Sequence, residues 1–385
     1  MALAAVSGLL LVLSFPRFGH PVVAWVALAP FLLALYGQST QRGFFLGLLT
    51  GGLYFTGTLY WVTNVMAVYG GLPTPGAIGV NALLVLYQAT YLVIFGAVIA
   101  RLTRLGGPRL ILAAPFVWVA CEFARTHVLS GFPWVLLGYS QAPVTPIVQV
   151  ASLFGIFGLS ALVAAINSAL AFALVARARR APQPHVPLVL TLAVVLLAGI
   201  WGSARVTGAA LLDEGEPLRV GLIQGNVDQA DKMDARRARG IYTAYLQMTR
   251  QAIFQGAQFV AWPESAVPFI VEEDPAAADE LRRVAAQARV PILVGADQVE
   301  RTRPARYYNA ALLIDAQGTT AAFYRKMHLV PFGEYVPARQ LFFFMSRLVE
   351  AVSDFSPGLE PTLLPVGTHR VSTSICYEVV YPDLV

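Results

Sequence analysis

Cys376 is one of only two cysteines in the chain. An apolar, β-branched approach, Val371 to Ile375, leads into it, and Tyr377, Glu378 and Tyr381-Pro382 follow. The pattern predicts a buried strand that ends in a sharp turn with the thiol on the turn. A thiol held there can be lined up as a nucleophile. Two other stretches supply what such a thiol needs. Trp262-Pro263-Glu264-Ser265 sets a carboxylate at the end of a strand predicted over Gln258 to Trp262, and Tyr324-Arg325-Lys326-Met327-His328 sets a cation at the end of one over Thr320 to Tyr324. Glu, Lys and Cys, each at the C-terminal end of its own strand, would make a catalytic constellation. Taken singly, each residue has an ordinary explanation: a solvated loop acid, a surface lysine beside Arg325, a structural thiol.

The elements that must position these residues begin at Leu218. Leu218 to Gln224 reads as a buried strand broken by Gly225-Asn226, and Asp234 to Gln255 has helical spacing, with Ile241, Tyr245, Met248 and Ile253 on one side. Asp274 is placed to cap a further helix ending near Ala288. Strands follow at Pro291 to Gly295, Ala310 to Ile314 and Thr320 to Tyr324. Strand-helix-strand-helix order followed by a hairpin argues for an α/β sandwich.

The first half is a different material. The 385-residue chain is 57% hydrophobic and only 13% charged, against roughly 25% charged in an average soluble protein, and its mean hydropathy is +0.62. Glu122 is the one acid before Asp213. The composition therefore divides the chain near 213–217 into a membrane domain, 1–205, and a water-facing domain, 217–385. Apolar stretches predict about seven spans: Met1 to Phe15, Pro21 to Tyr36, Gly43 to Val65, Pro75 to Ala100, Leu110 to Leu129, Val144 to Ala176 and Val186 to Arg205. The first two are short. With a cytoplasmic N-terminus, the inner loops hold Arg42, then Arg101, Arg104 and Arg109, then Arg177, Arg179 and Arg180. The outer loops hold Arg17, Arg125 and Arg205. This bias puts the polar domain outside the cytoplasm.

Some chemistries are excluded. The formal charge of +5 is modest, and no basic cluster interleaved with aromatics points to nucleic acid. Two cysteines and scattered histidines give no zinc spacing, so no metal and no cofactor is expected. Cys121 sits in an apolar helix and reads as an inert core thiol. Glu122 and Arg125 stand one helical turn apart. An intramembrane carboxylate suggests function, but a local ion pair across one turn is the favoured reading. Gly131-Phe132-Pro133-Trp134 and Gly138-Tyr139-Ser140-Gln141 break any simple span. They would serve either as an interfacial belt or as the floor of a lipid site.

Glu264, Lys326 and Cys376 together, in this order, resemble the nitrilase, or carbon–nitrogen hydrolase, superfamily. Gln224-Gly225-Asn226, Trp262-Pro263-Glu264-Ser265-Ala266, the string Lys326-Met327-His328-Leu329-Val330-Pro331-Phe332-Gly333-Glu334-Tyr335-Val336-Pro337, and Ile375-Cys376-Tyr377-Glu378 further resemble the apolipoprotein N-acyltransferases. The stretches Gly131 to Trp134 and Gly138 to Gln141 resemble that family's membrane domain. The resemblance implies a multi-pass α-helical membrane domain joined to a nitrilase-like αββα sandwich, in the inner membrane of a bacterium with the catalytic domain on the periplasmic side. It implies transfer of an acyl chain from a phospholipid through a Cys376 thioester to the α-amine of a diacylglyceryl-cysteine apolipoprotein. Glu264 would be the base, Lys326 the oxyanion partner and Cys376 the nucleophile. Glu334 would hold Lys326, and Tyr377, Glu378 and Trp134 would support the site or the substrate. Met233 stands where the family usually has a tryptophan near the acyl site. The enzyme is expected to act as a monomer in the bilayer. The family continues past the cysteine with an Asn-Asp-Ala-Trp-Phe-Gly stretch, further strands and a last helix, so a C-terminally truncated sandwich with little activity of its own is expected. The alternatives are a membrane-tethered amidase, which would pass the acyl group to water, and a non-catalytic scaffold or transporter.

Overall fold

A computed structural model describes residues 1–209, 212, 214–232, 234–331, 333–335 and 355–384. The chain forms two compact units, Met1–Glu214 and Gly215–Val385.

The first unit is helical: α1 (Ala2–Leu13), α2 (Pro21–Ala27), α3 (Ala29–Leu35), α4 (Thr40–Val68), α5 (Thr74–Gly106), α6 (Ala114–His127), α7 (Thr145–Val148), α8 (Ala151–Ala178) and α9 (Val186–Gly208). Among the described residues five helical stretches are long and apolar enough to cross a membrane: Thr40–Val68, Thr74–Gly106, Pro108–Ser130, Ala151–Ala178 and Val186–Gly208. The first two stretches, already short in the sequence, form the shorter apolar helices Ala2–Leu13 and Pro21–Leu35. The second is broken at Leu28, where Asn167 of α8 accepts the N–H groups of Leu28 and Ala29 at 2.8 and 3.0 Å. An amide buried there satisfies backbone donors that the break leaves open, a requirement in an apolar medium. The span read as Val144 to Ala176 is also interrupted: α7 ends at Val148, and Gly155 in α8 has φ +61°. Helices α4 and α5 pack backbone to backbone. A Cβ on Gly43 would overlap the carbonyl of Gly96, the small-residue contact by which apolar helices associate in lipid.

The second unit is built on a five-stranded mixed sheet in the order β1 (Val220–Leu222), β2 (Phe259–Ala261), β3 (Ile292–Glu300), β4 (Arg306–Ile314) and β5 (Thr320–Arg325). The first three strands are parallel; β3–β4 and β4–β5 are antiparallel. A short helix α10 (Gln229–Lys232) and the amphipathic α11 (Ala235–Phe254) join β1 to β2, and α12 (Pro275–Ala288) leads to β3. Asp234 and Asp274 cap α11 and α12 through the N–H groups of Arg236 and Ala277, the second as the sequence predicts. Tyr242, Tyr245, Leu246, Leu281 and Val284 of these helices pack on Val260, Ile292, Val294, Leu312 and Ile314. On the opposite face a hairpin, β6 (Leu364–Val366) and β7 (His369–Val371), covers Phe259 and Leu313. This opposite face carries the polar row described next.

Candidate active site

Glu264 is delivered by a turn just beyond β2. Trp262 anchors the strand end by donating its indole N–H to Thr249 of α11 at 2.8 Å. The turn then lies flat on β3, with Ala266 N–H bonded to the Gly295 carbonyl. Only glycine fits at 295, because a Cβ there would overlap the Pro263 carbonyl. Lys326 follows β5 directly, and its N–H bonds the Asn309 carbonyl of β4 at 2.8 Å.

Cys376 opens a 3₁₀ turn, Cys376–Val380, with φ +52°, a backbone region that few non-glycine residues adopt. The sequence predicts a strand running into the thiol; β7 instead ends at Val371. The N–H of Ile375 is taken by the Glu378 carboxylate at 2.8 Å and not by a neighbouring strand. That carboxylate is fully buried. It also accepts the hydroxyl of Tyr324 and the N–H groups of Met327 and His328, at 2.8, 2.6 and 3.1 Å. Glu378 thus ties the thiol's turn to the lysine's loop. Tyr377 is buried and meets the ring of Tyr381 edge-on at 5.2 Å.

These segments bring four of the residues singled out from sequence into one cluster. The Lys326 ammonium, 1% exposed, lies 2.9 Å from Glu334 and 3.3 Å from Glu264. Burial works to lower its pKa, but Glu264 and Glu334 outweigh it and hold the group above the ordinary lysine range. The Cys376 thiol hydrogen-bonds Glu264. Partial burial and the Glu264 charge push it above the ordinary cysteine range, against the opposing pull of Lys326. Glu334 is fixed in turn by the Val330 N–H at 2.8 Å. Both cysteines are free thiols. Among the described residues no group of His, Cys, Asp or Glu side chains is arranged to hold a metal.

One member of the cluster escapes motif reasoning. Asn309 donates its side-chain amide to Glu264 at 2.6 Å and to Glu334 at 2.8 Å, locking both carboxylates around the ammonium. Its signal in the sequence is faint: one amide at the head of the apolar run Ala310 to Ile314.

Met233 lies outside the described residues. Trp134 belongs to the first unit and packs on Trp61 and Phe132 at 5.2 and 6.0 Å. Glu122 and Arg125 are 3.9 Å apart and both buried, yet their closest bonds go elsewhere. Glu122 accepts the Leu137 N–H at 2.6 Å and the Trp118 indole at 2.9 Å. Arg125 donates to the carbonyls of Trp134 and Val135 at 3.1 and 3.3 Å. The pair serves the irregular backbone of the Gly131 to Gln141 stretch, more than a local ion pair would.

Residues 7–169 match the family described as apolipoprotein N-acyltransferase N-terminal domain, and residues 219–385 match the carbon-nitrogen hydrolase family. An apolipoprotein N-acyltransferase of Geobacter metallireducens is 37% identical over 99% of this chain and 73% of its own length. One from Methylococcus capsulatus is 34% identical over 99% of this chain and 74% of its own. Among solved structures, a Nesterenkonia amidase of the nitrilase superfamily covers 44% of this chain and 60% of its own at 22% identity, with a TM-score of 0.34. With both halves matched in order and identity sustained from end to end, the chain belongs to the apolipoprotein N-acyltransferase family.

Proposed function

We propose that this protein transfers an acyl chain from a phospholipid to the α-amine of a diacylglyceryl-cysteine lipoprotein, through a thioester on Cys376. The observation that carries this reading is the contact of the Cys376 thiol with Glu264, beside an ammonium gripped by Glu264 and Glu334. A thiol held above the ordinary range is protonated at neutral pH and needs a base in contact with it. Glu264 takes the Sγ proton as sulfur attacks the ester carbonyl. The ammonium of Lys326 has three N–H groups; Glu264 and Glu334 use two, and the third serves the developing oxyanion. Collapse breaks the ester C–O bond, and Glu264 returns its proton to the leaving glycerol oxygen, releasing a lysophospholipid. In the second half the neutral amine attacks the thioester and Glu264 accepts its proton. Collapse then expels the Cys376 sulfur, which recovers the proton.

The five apolar stretches support a membrane location, and the arginine bias of its loops favours the second unit facing the periplasm. The test is incubation of the purified protein with radiolabelled phosphatidylethanolamine and a diacylglyceryl peptide. A hydroxylamine-stable label on the peptide amine supports the reading. Free fatty acid as the sole labelled product would favour the amidase alternative.

A further inference from the structure

Asp297 lies in the same cluster and has no part in the mechanism above. It sits on β3 directly opposite Asn309 of β4, and Asn309 is followed across the sheet by Lys326. The three side chains form a row on the sheet face opposite α11 and α12. The Asn309 carbonyl accepts from Lys326, so its backbone polar groups point toward β5 and away from β3. Asp297 and Asn309 are therefore a non-hydrogen-bonded antiparallel pair, the kind whose side chains stand closest, with Cβ atoms about 4.5–5.5 Å apart.

Two oxygens in this pair are unaccounted for. Asn309 directs its NH2 at Glu264 and Glu334, so its Oδ1 points away from them. That Oδ1 is buried with no donor, and Oδ1 of Asp297 is also buried with no donor. Ser265, next to Glu264, hydrogen-bonds the Asp297 carboxyl. Two neighbouring buried acceptors without a hydrogen between them are costly. A single proton on Asp297 Oδ1, donated to Asn309 Oδ1, satisfies both.

We propose that Asp297 is a positioning residue that carries a proton in the assembled site and donates it to the Asn309 side chain, fixing the amide with its NH2 toward Glu264 and Glu334. The charged groups facing Asp297 are Glu264 from the turn after β2 and, from the loop after β5, Glu334 and the Lys326 that both carboxylates grip. A third ionised carboxyl there would set three negative charges against the one cation. Burial, with Glu264 and Glu334 adding to it and Ser265 opposing, raises the Asp297 carboxyl above the usual range. A raised carboxyl keeps its proton to higher pH, and the bond to Asn309 is lost as pH rises through the folded-state value.

The experiment compares wild type, Asp297→Asn and Asp297→Leu by infrared difference spectroscopy and by acyl-enzyme formation across pH. At neutral pH the wild type should show a buried carboxylic-acid C=O band that is missing from Asp297→Asn. That variant can still donate to Asn309 and should keep acylation within about threefold of wild type, with no loss at alkaline pH from this group. Asp297→Leu strands the Asn309 oxygen and should acylate about tenfold more slowly, the rate equivalent of one unsatisfied buried acceptor. No such band in the wild type, or equal loss in both variants, overturns the proposal. The infrared band is read without turnover, so it stands apart from the acyltransferase reading, on which only the kinetic arm rests.

Discussion

The carboxylate of Glu378 accepts the backbone N–H of Met327 at 2.6 Å. Through that bond the turn bearing Cys376 and the loop bearing Lys326 become one rigid piece. Glu378→Ala would strand four donors, from Tyr324, Met327, His328 and Ile375. We expect a loss of more than about 3 kcal/mol of stability, since each unsatisfied buried donor costs about 1–3 kcal/mol. Glu378→Gln keeps one acceptor oxygen and should lose about half as much. Thermal unfolding in detergent measures both; equal melting of all three proteins would show the tie to be idle.

Gly295 admits the Glu264 turn against β3 because it lacks a Cβ. Gly295→Ala must push Pro263 and Glu264 outward. Misplacing a catalytic group by about 1 Å can cost on the order of 100-fold in rate. Acyl-enzyme formation should fall by that order while the circular dichroism spectrum stays native. Unchanged acylation would mean that the turn tolerates the shift.

Thiol reactivity tests the electrostatics separately from catalysis. Partial burial and the Glu264 charge raise the Cys376 thiol, and Lys326 opposes them. In a Cys121→Ala background, the iodoacetamide rate should rise with pH along a curve displaced to the alkaline side of a free cysteine. Glu264→Gln removes a raising influence and should shift that curve toward lower pH, even as it abolishes acylation. Lys326→Met should shift it the other way. If Glu264→Gln slowed alkylation, the carboxylate would be acting on the thiol with the opposite sign.

The candidate cluster is largely legible because its members sit at strand ends, where composition changes abruptly. Glu264, Lys326 and Cys376 each interrupt an apolar run, and Glu334 belongs to the same motif string as Lys326. Asn309 and Asp297 were not legible. They meet across β3 and β4, and a cross-strand contact depends on a register that no local pattern states. The strand expected before Cys376 also failed: alternating β-branched residues suit an extended chain, but Glu378, not a sheet partner, takes the Ile375 N–H. In the helical unit, hydropathy found the long helices. It could not foresee the break at Leu28, which Asn167 repairs from well over a hundred residues away, or the kink at Gly155.

Glu122 and Arg125 hold the Trp134 to Leu137 backbone inside the helical unit. Removing one partner leaves a buried charge uncompensated, at a cost of about 3–5 kcal/mol. Glu122→Ala and Arg125→Ala should each cost that much, and the double variant clearly less than their sum. Unfolding in detergent across the double-mutant cycle reads the coupling directly. Strict additivity would show that each residue serves the loop alone.

The proposed transfer depends on Cys376 as the acyl carrier. Intact-protein mass after incubation with phospholipid and no amine acceptor tests this most directly. The wild type should gain one acyl chain that hydroxylamine removes, as a thioester requires. Glu264→Gln, which lacks the base, and Lys326→Ala, which loses an oxyanion donor worth about 3–4 kcal/mol, should gain none, and neither should Cys376→Ala. A hydroxylamine-labile acyl group on Cys376→Ala would place the nucleophile elsewhere and contradict the mechanism.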